Sequence, residues 1–250
     1  MPRELKPDEK RLIARIAPER RRDFSRRLRA WFKGARRDLP WRHTRDPYRV
    51  LVSELMLQQT QVDRVIGFYE RFVTRFPTLE AVAAAPPAQV REAWSGLGYS
   101  ARARNLRSLA VQVVTEGSPA TLPETPEALR TLPGIGPYTA GAVASFAFEK
   151  RAALIDTNVE RVLRRVFTPS LAPKAPRTHR LLWALAAELL PRTGKATWTH
   201  NQALMELGAL VCTARVAHCE RCPVRDGCAT GRKHPSAKVP STATQVRRRT

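Results

Sequence analysis

Thr131–Phe148 reads "TLPGIGPYTAGAVASFAF". Gly134 and Gly136, two positions apart, let the backbone turn tightly and bring bare amides to the surface. The stretch predicts a short helix over Pro126–Thr131, a turn at Gly134–Gly136, and a second helix beginning near Pro137. Amides at a helix N-terminus suit a phosphate oxygen. A lone G-x-G fits any helix–turn–helix break. L-P-G-x-G-x-x-T-A between two helices is much more specific.

The helical reading extends outward in both directions. Phe24, Leu28 and Trp31 follow an i, i+4, i+7 stripe, which predicts a helix over 20–34. Val62, Val65, Ile66, Tyr69, Phe72 and Val73 form another helical face. "FPTLEAVAAAPPAQVREAW" reads as two short helices, with Thr78 and Pro87 near their starts. Leu106, Leu109, Ala110 and Val113 mark a further helix, and Leu181, Leu182, Leu185 and Leu189 another. No run alternates in the manner of a strand, so the expected fold class is all-α. Residues 1–19 read as a flexible basic arm. Residues 231–250 read as a polar, disordered tail that ends in "RRRT".

The charge points to a polyanion. Lys and Arg number 44 against 22 Asp and Glu, for a formal net charge of +22 and a pI near 11.3. Most of the cations are Arg, which binds phosphate bidentately and stays charged. An Arg-rich but merely solvated surface is the plainer explanation; a pI this high favours nucleic acid. No stretch approaches the length of apolar sequence that spans a bilayer. The N-terminus lacks the apolar segment of a secretion signal and carries acids that a transit peptide avoids. The expected location is therefore cytoplasmic, where clustered cysteines more often hold metal than form disulfides.

Two acids lie in telling surroundings. Glu54 falls in "DPYRVLVSELMLQQTQV", flanked by Val50, Leu51, Leu55 and Leu57. Alone, it reads as a residue on the solvent stripe of a helix. Asp156 falls in "ALIDTNVERVL", after an apolar run. Thr157 and Glu160 fit a capping box, which assigns the cap to Thr157 and frees Asp156. Together the two acids suit cleavage of a glycosidic bond. One acid protonates the leaving group while one carboxylate stays ionised beside an oxocarbenium-like sugar. Apolar surroundings would raise the pKa of Glu54 and let it hold a proton.

All four cysteines, Cys212, Cys219, Cys222 and Cys228, lie in "CTARVAHCERCPVRDGC" with spacing C-x6-C-x2-C-x5-C. Four thiolates from one short loop suit zinc and a [4Fe–4S] cluster about equally on ligand chemistry alone.

Taken together, "LPWR", "VSELMLQQTQV", "GLGYSARARNL", "LPGIGPYTAGAV", "DTNVERVL", "NQALMELGALVCT" and the cysteine loop resemble the endonuclease III superfamily of helix-hairpin-helix DNA glycosylases. Within it they are most similar to the adenine-specific mismatch glycosylases of the MutY family. The resemblance runs from about Trp31 to Cys228. It implies a six-helix barrel lobe carrying the helix-hairpin-helix over 46–149. A second lobe, from 20–45 plus 150–230, would hold a [4Fe–4S] cluster, with a DNA groove between the lobes. Glu54 takes the position of the acid that protonates the leaving base, and Asp156 that of the carboxylate beside the sugar cation. Asn158 and Tyr138 match residues lining that centre. Arg37, Trp41, Leu57 and Glu206 match positions around the flipped base, although Trp41 and Leu57 also suit plain core packing. Gln59 and Tyr99 match residues that wedge into the base stack and fill the hole left by extrusion. Gly134, Gly136 and Thr139 match the hairpin that grips the phosphates.

Superfamily members that cut the backbone carry a lysine at the hairpin as a Schiff-base nucleophile. Here "GPYTAG" has Tyr138 and no lysine, and Lys150 lies outside the motif. The resemblance thus implies a monofunctional, monomeric bacterial enzyme working at the nucleoid with little or no lyase activity. Its partner is double-stranded DNA with a mispaired or damaged base. Many adenine glycosylases of the family continue into a second domain that reads 8-oxoguanine, whereas here only a polar tail follows the cluster. "DTNV" also has Thr157 where glycine is frequent. The excised base is expected to be adenine opposite 8-oxoguanine or guanine, on "LQQTQV" and Glu206. Thymine or uracil opposite guanine, and oxidised pyrimidines, remain alternatives, as does a DNA-binding module without catalysis.

Overall fold

The computed structural model describes residues 5–117, 120–173 and 175–233. Among them are twelve α-helices and no strand; an isolated antiparallel bridge pairs Cys212 with Ala217. No helix among the described residues is long and apolar enough to cross a membrane.

The chain opens with α1 (Pro7–Ala14) and α2 (Pro18–Ala35), each with proline in its first turn, where a missing N–H costs nothing. Of the arm expected to be flexible over 1–19, residues 7–14 and those from 18 are helical, and residues 1–4 lie outside the described residues. Glu9 explains the difference. It is fully buried, takes the Lys6 amide at 2.9 Å and receives Arg180 Nη2 at 2.7 Å. Arg180 is remote in sequence, so no local pattern announces the pair. In α2 the inward positions are Phe24, Leu28 and Phe32, an i, i+4, i+8 stripe. Trp31, expected on that stripe, is half-buried at its edge.

Two compact units divide the chain. The first holds residues 37–154 and 192–198. It contains α3 (Pro47–Leu57), α4 (Val62–Arg75), α5 (Leu79–Ala84), α6 (Pro87–Ala93), α7 (Ala101–Glu116), α8 (Pro126–Leu129) and α9 (Pro137–Phe146). Asp46 caps α3 by accepting from Arg49 N at 2.8 Å, and Thr78 caps α5 through Ala81 N. Helix α3 packs on α4, α7 and α9, so Tyr48 and every residue from Val50 to Met56 are buried. Every residue of α9 from Thr139 to Phe146 is buried. Phe72 meets Trp94 edge-to-face at 5.4 Å in the same core.

The second unit holds the residues before 37, those over 155–191, and those from 199 onward. It contains α1, α2, α10 (Thr157–Phe167), α11 (Pro176–Glu188) and most of α12 (Gly194–Leu210). The division falls after residues 36 and 154 rather than after 45 and 149, the expected boundaries. Val159, Val162, Leu163 and Val166 of α10 face the α11 leucines Leu181, Leu182 and Leu185 within one core. Beyond α12 the chain runs through short 3-10 turns at Cys219–Arg221, Arg225–Gly227 and Gly231–Lys233. Most of the expected disordered tail, from 234 on, lies outside the described residues.

Candidate active site

In the first unit, Glu54 sits in the last two turns of α3 and is only 3% exposed. Its place is the core and not the solvent stripe that the residue alone implied. The helix is apolar on every side here, and the carboxyl is satisfied from another element. Tyr138, in the first turn of α9, donates its hydroxyl to Glu54 Oε2 at 2.7 Å. Helix α9 also meets α3 through Gln58, whose Nε2 donates to Thr139 Oγ1 at 3.2 Å. Thr139 is buried, and this contact ties α9 to the end of α3.

The hairpin before α9 forms as its glycines imply. Thr125 caps α8, and Gly134 turns the chain with φ +76°. A Cβ at Gly134 would lie 2.6 Å from the Asn105 side chain on α7, so backbone shape and space both require glycine. Gly136 is the N-cap of α9 and, like Gly134, is exposed. Gln59 and Tyr99 lie in the loops after α3 and before α7. Both are exposed and have positive φ, +56° and +51°. Trp41 is buried edge-to-face against Tyr69 at 5.5 Å. Arg37 and Leu57 are half-buried; the Arg37 carbonyl accepts from Arg42 Nη1 at 2.9 Å.

In the second unit Asp156 is the N-cap of α10, which corrects the assignment of that role to Thr157. Its backbone is extended, and Oδ1 accepts from Val159 N at 2.7 Å while Thr157 begins the helix exposed. A carboxylate one residue earlier reaches the same orphan amide and adds charge opposite to the helix dipole. The second oxygen, Oδ2, accepts from Asn158 Nδ2 at 3.0 Å. Burial raises the Asp156 pKa above the ordinary carboxylate value; the Val159 and Asn158 hydrogen bonds and the Arg161 charge oppose that rise.

Arg161 extends this array. It donates through Nη2 to Asn158 Oδ1 at 2.7 Å and Gly208 O at 2.8 Å, and through Nε to Cys212 O at 2.8 Å. Glu206 is buried in α12. Gly208 lets that helix close on Asn158, where a Cβ would come within 2.7 Å. The sequence reading missed Arg161, and also Arg102 of α7, which is 7% exposed. Each lies among other arginines on an amphipathic helix, and nothing local separates the inward one from its exposed neighbours.

The four cysteines line a single apolar cavity with Val162, Val166, Leu207 and Val211. Burial, then the neighbouring sulfurs, push the Cys222 thiol up to about 12 and raise Cys219 and Cys228. Such thiols ionise readily only beside a compensating cation. Gly231 N donates to Cys228 Sγ at 3.2 Å, and Arg165 Nη1 to Cys212 Sγ at 3.4 Å. Among the described residues no group of three or more His, Cys, Asp or Glu is arranged to hold a metal ion. The four thiols line that cavity together, a donor set whose chemistry suits an iron–sulfur group as well as zinc.

Comparison with known proteins agrees with this architecture. An adenine DNA glycosylase of Mycolicibacterium smegmatis is 46% identical over 198 residues, covering 79% of this chain and 66% of that protein. One from Rattus norvegicus is 44% identical over 214 residues, covering 82% of this chain and 41% of its own length. The chain thus spans less than two thirds of these relatives. The structure of a thermostable thymine-DNA glycosylase superposes with a TM-score of 0.78 at 33% identity, covering 86% of this chain and 98% of that one. The profile of the HhH-GPD superfamily base excision DNA repair proteins matches residues 52–188. With that match laid over the glycine hairpin, the buried Glu54 and the α10 cap, the chain belongs to the HhH-GPD superfamily.

Proposed function

We propose that this protein is a monofunctional DNA glycosylase that hydrolyses the bond between a flipped, mispaired base and its sugar. The observation that carries the reading is a buried glutamate held by a tyrosine at the head of the hairpin helix. With Tyr138 donating to Oε2, the other oxygen of Glu54 carries the proton that goes to the leaving base. The C1′–N bond breaks, and the ionised Asp156 stabilises the sugar cation. A water then adds at C1′ and returns its proton to Glu54. The Val159 and Asn158 donors favour the ionised form of Asp156 against the effect of burial. No lysine stands in the hairpin motif, and Lys150 is ion-paired with Glu124, so water is the nucleophile and strand cleavage is weak or absent.

Adenine opposite 8-oxoguanine or guanine is the proposed target; the names of the curated relatives support adenine as the excised base. Thymine or uracil opposite guanine is the second reading, favoured by the near-complete coverage of the thymine-DNA glycosylase structure. Gln59 and Tyr99 would enter the stack as the base leaves, and the Gly134–Gly136 turn would hold the flanking phosphate. Cys212, Cys219, Cys222 and Cys228 would hold a [4Fe–4S] cluster, which supplies a compensating charge for the thiolates and orders the basic loop around them.

Single-turnover base release from defined duplexes tests the assignment. Release of adenine opposite 8-oxoguanine or guanine, with thymine and uracil opposite guanine untouched, is expected. Release of thymine or uracil alone would replace the adenine assignment with the second reading.

A further inference from the structure

Arg102 lies in the first turn of α7, buried and bound to no carboxylate by any of its hydrogen bonds described here. Its Nη1 points at the carbonyls of Leu55, Met56 and Gln58, at 2.7, 2.8 and 2.7 Å. Its Nη2 points at the carbonyls of Leu97 and Gly98, at 3.1 and 3.0 Å, and at Thr60 Oγ1 at 3.2 Å. One guanidinium therefore satisfies the carbonyl end of α3, where the helix dipole is negative, and also the loop that leads into α7.

The acceptors are not scattered. The Gln58 carbonyl belongs to the peptide that enters Gln59, and the Gly98 carbonyl to the peptide that enters Tyr99. These are two of the three non-glycine residues with positive φ among the described residues. Left-handed backbone at a residue with a Cβ persists only where its surroundings enforce it. Here one buried group enforces it in two loops some forty residues apart in sequence. The same group also fixes the carbonyl of Leu55, the residue after Glu54. The Tyr99 ring lies 5.5 Å from the guanidinium carbon, and Trp94 lies 5.8 Å from it.

We infer that Arg102 is a positioning residue for base extrusion. It joins the loops bearing Gln59 and Tyr99 into one rigid wedge, held in register with the turn of α3 that bears Glu54. The inference rests on the proposed reading that Gln59 and Tyr99 enter the base stack.

The test replaces Arg102 with lysine in the full-length chain, keeping the charge but offering one donor atom where the guanidinium offers two to these loops. In the DNA-free protein, amide hydrogen exchange should accelerate together over 55–60 and 97–101 in R102K and change little elsewhere. Extrusion, read from 2-aminopurine fluorescence in a mismatched duplex, should fall about tenfold or more, as misplacement of positioning groups does. Affinity for undamaged duplex should hold. The loss should shrink to about twofold or less when R102K is added to a Q59A/Y99A variant, because the wedge it positions is gone. Unchanged exchange, exchange rising in one loop only, or an equal loss in the Q59A/Y99A background would overturn the inference. If R102K does not fold, a cycle of Q59A and Y99A in the otherwise unchanged chain decides: non-additive losses support the clamp, and additive losses overturn it. If the unaltered protein extrudes no base, the functional reading fails, and the exchange data still decide whether the clamp exists.

Discussion

Asp156 carries two duties in one side chain. Its Oδ1 closes the first turn of α10, and its burial makes the carboxylate dearer to ionise. A carboxyl whose folded pKa lies above the ordinary 3.8 favours the fold only while protonated, and that contribution is lost as the pH rises through the folded value. At neutral pH the ionised group therefore opposes folding. Replacing Asp156 with Asn keeps an N-cap of equal quality and removes the charge. D156N should melt no lower than the unaltered protein at neutral pH, while base release falls by about a hundred- to a thousandfold. A clear drop in melting temperature would contradict the burial account. The capping box at Thr157 was a sound local pattern, yet the cap fell one position earlier, where the extended backbone of Asp156 brings Oδ1 onto the Val159 amide. Glu54, Tyr138 and the cysteines stood out in the sequence as candidates, because each stands in a motif of defined spacing; the structure adds that Tyr138 bonds Glu54 and that the cysteines share one cavity. Arg102, Arg161 and the inward turn of Thr139 were not, because their roles depend on carbonyls and amides supplied by distant segments.

Helices announced themselves where a local signal marks them. Thr78 and Pro87 start α5 and α6, and the Gly134 turn separates α8 from α9, as the residues imply. Helix α1 did not announce itself, since its hold is a buried ion pair to Arg180. Helix α12 also escaped the reading. Its buried face mixes His200, Asn201, Gln202 and Glu206 with Ala203, Leu204 and Leu207, so no apolar stripe stands out. His200 illustrates how such a helix is held. Its Nδ1 pairs with Ser25 Oγ of α2 at 3.0 Å, and burial, aided by the Arg29 charge, depresses its pKa from 6.5 to about 3. The unfolded chain takes up a proton below 6.5 that the folded protein refuses until about 3. The neutral histidine's contribution to stability is thus complete above 6.5 and lost progressively as the pH falls toward 3. Urea midpoints measured at about pH 7.5 and about pH 5 should differ less in H200Q than in the unaltered protein. An equal pH dependence in both would show that His200 is not the sensor.

At the scale of the whole chain, a formal charge of +22 suits a polyanionic partner, and the all-helical scaffold presents an exposed glycine turn at the head of α9. Neither feature alone distinguishes an enzyme from a DNA-binding module. The distinction rests on Glu54, because a binder has no use for a buried carboxyl aligned by a tyrosine. In the proposed reading charge sets how tightly DNA is held, through release of counterions at the phosphates. In the proposed mechanism Glu54 decides whether a bond is broken. Base release and duplex affinity can therefore be separated by one substitution that preserves shape. The most direct measurement is single-turnover release of adenine opposite 8-oxoguanine by the unaltered protein and by E54Q, with duplex affinity measured alongside. The account predicts that E54Q binds the duplex as the unaltered protein does and releases base at least about a hundredfold more slowly. Release by E54Q at the unaltered rate would contradict the assignment of Glu54 as the acid.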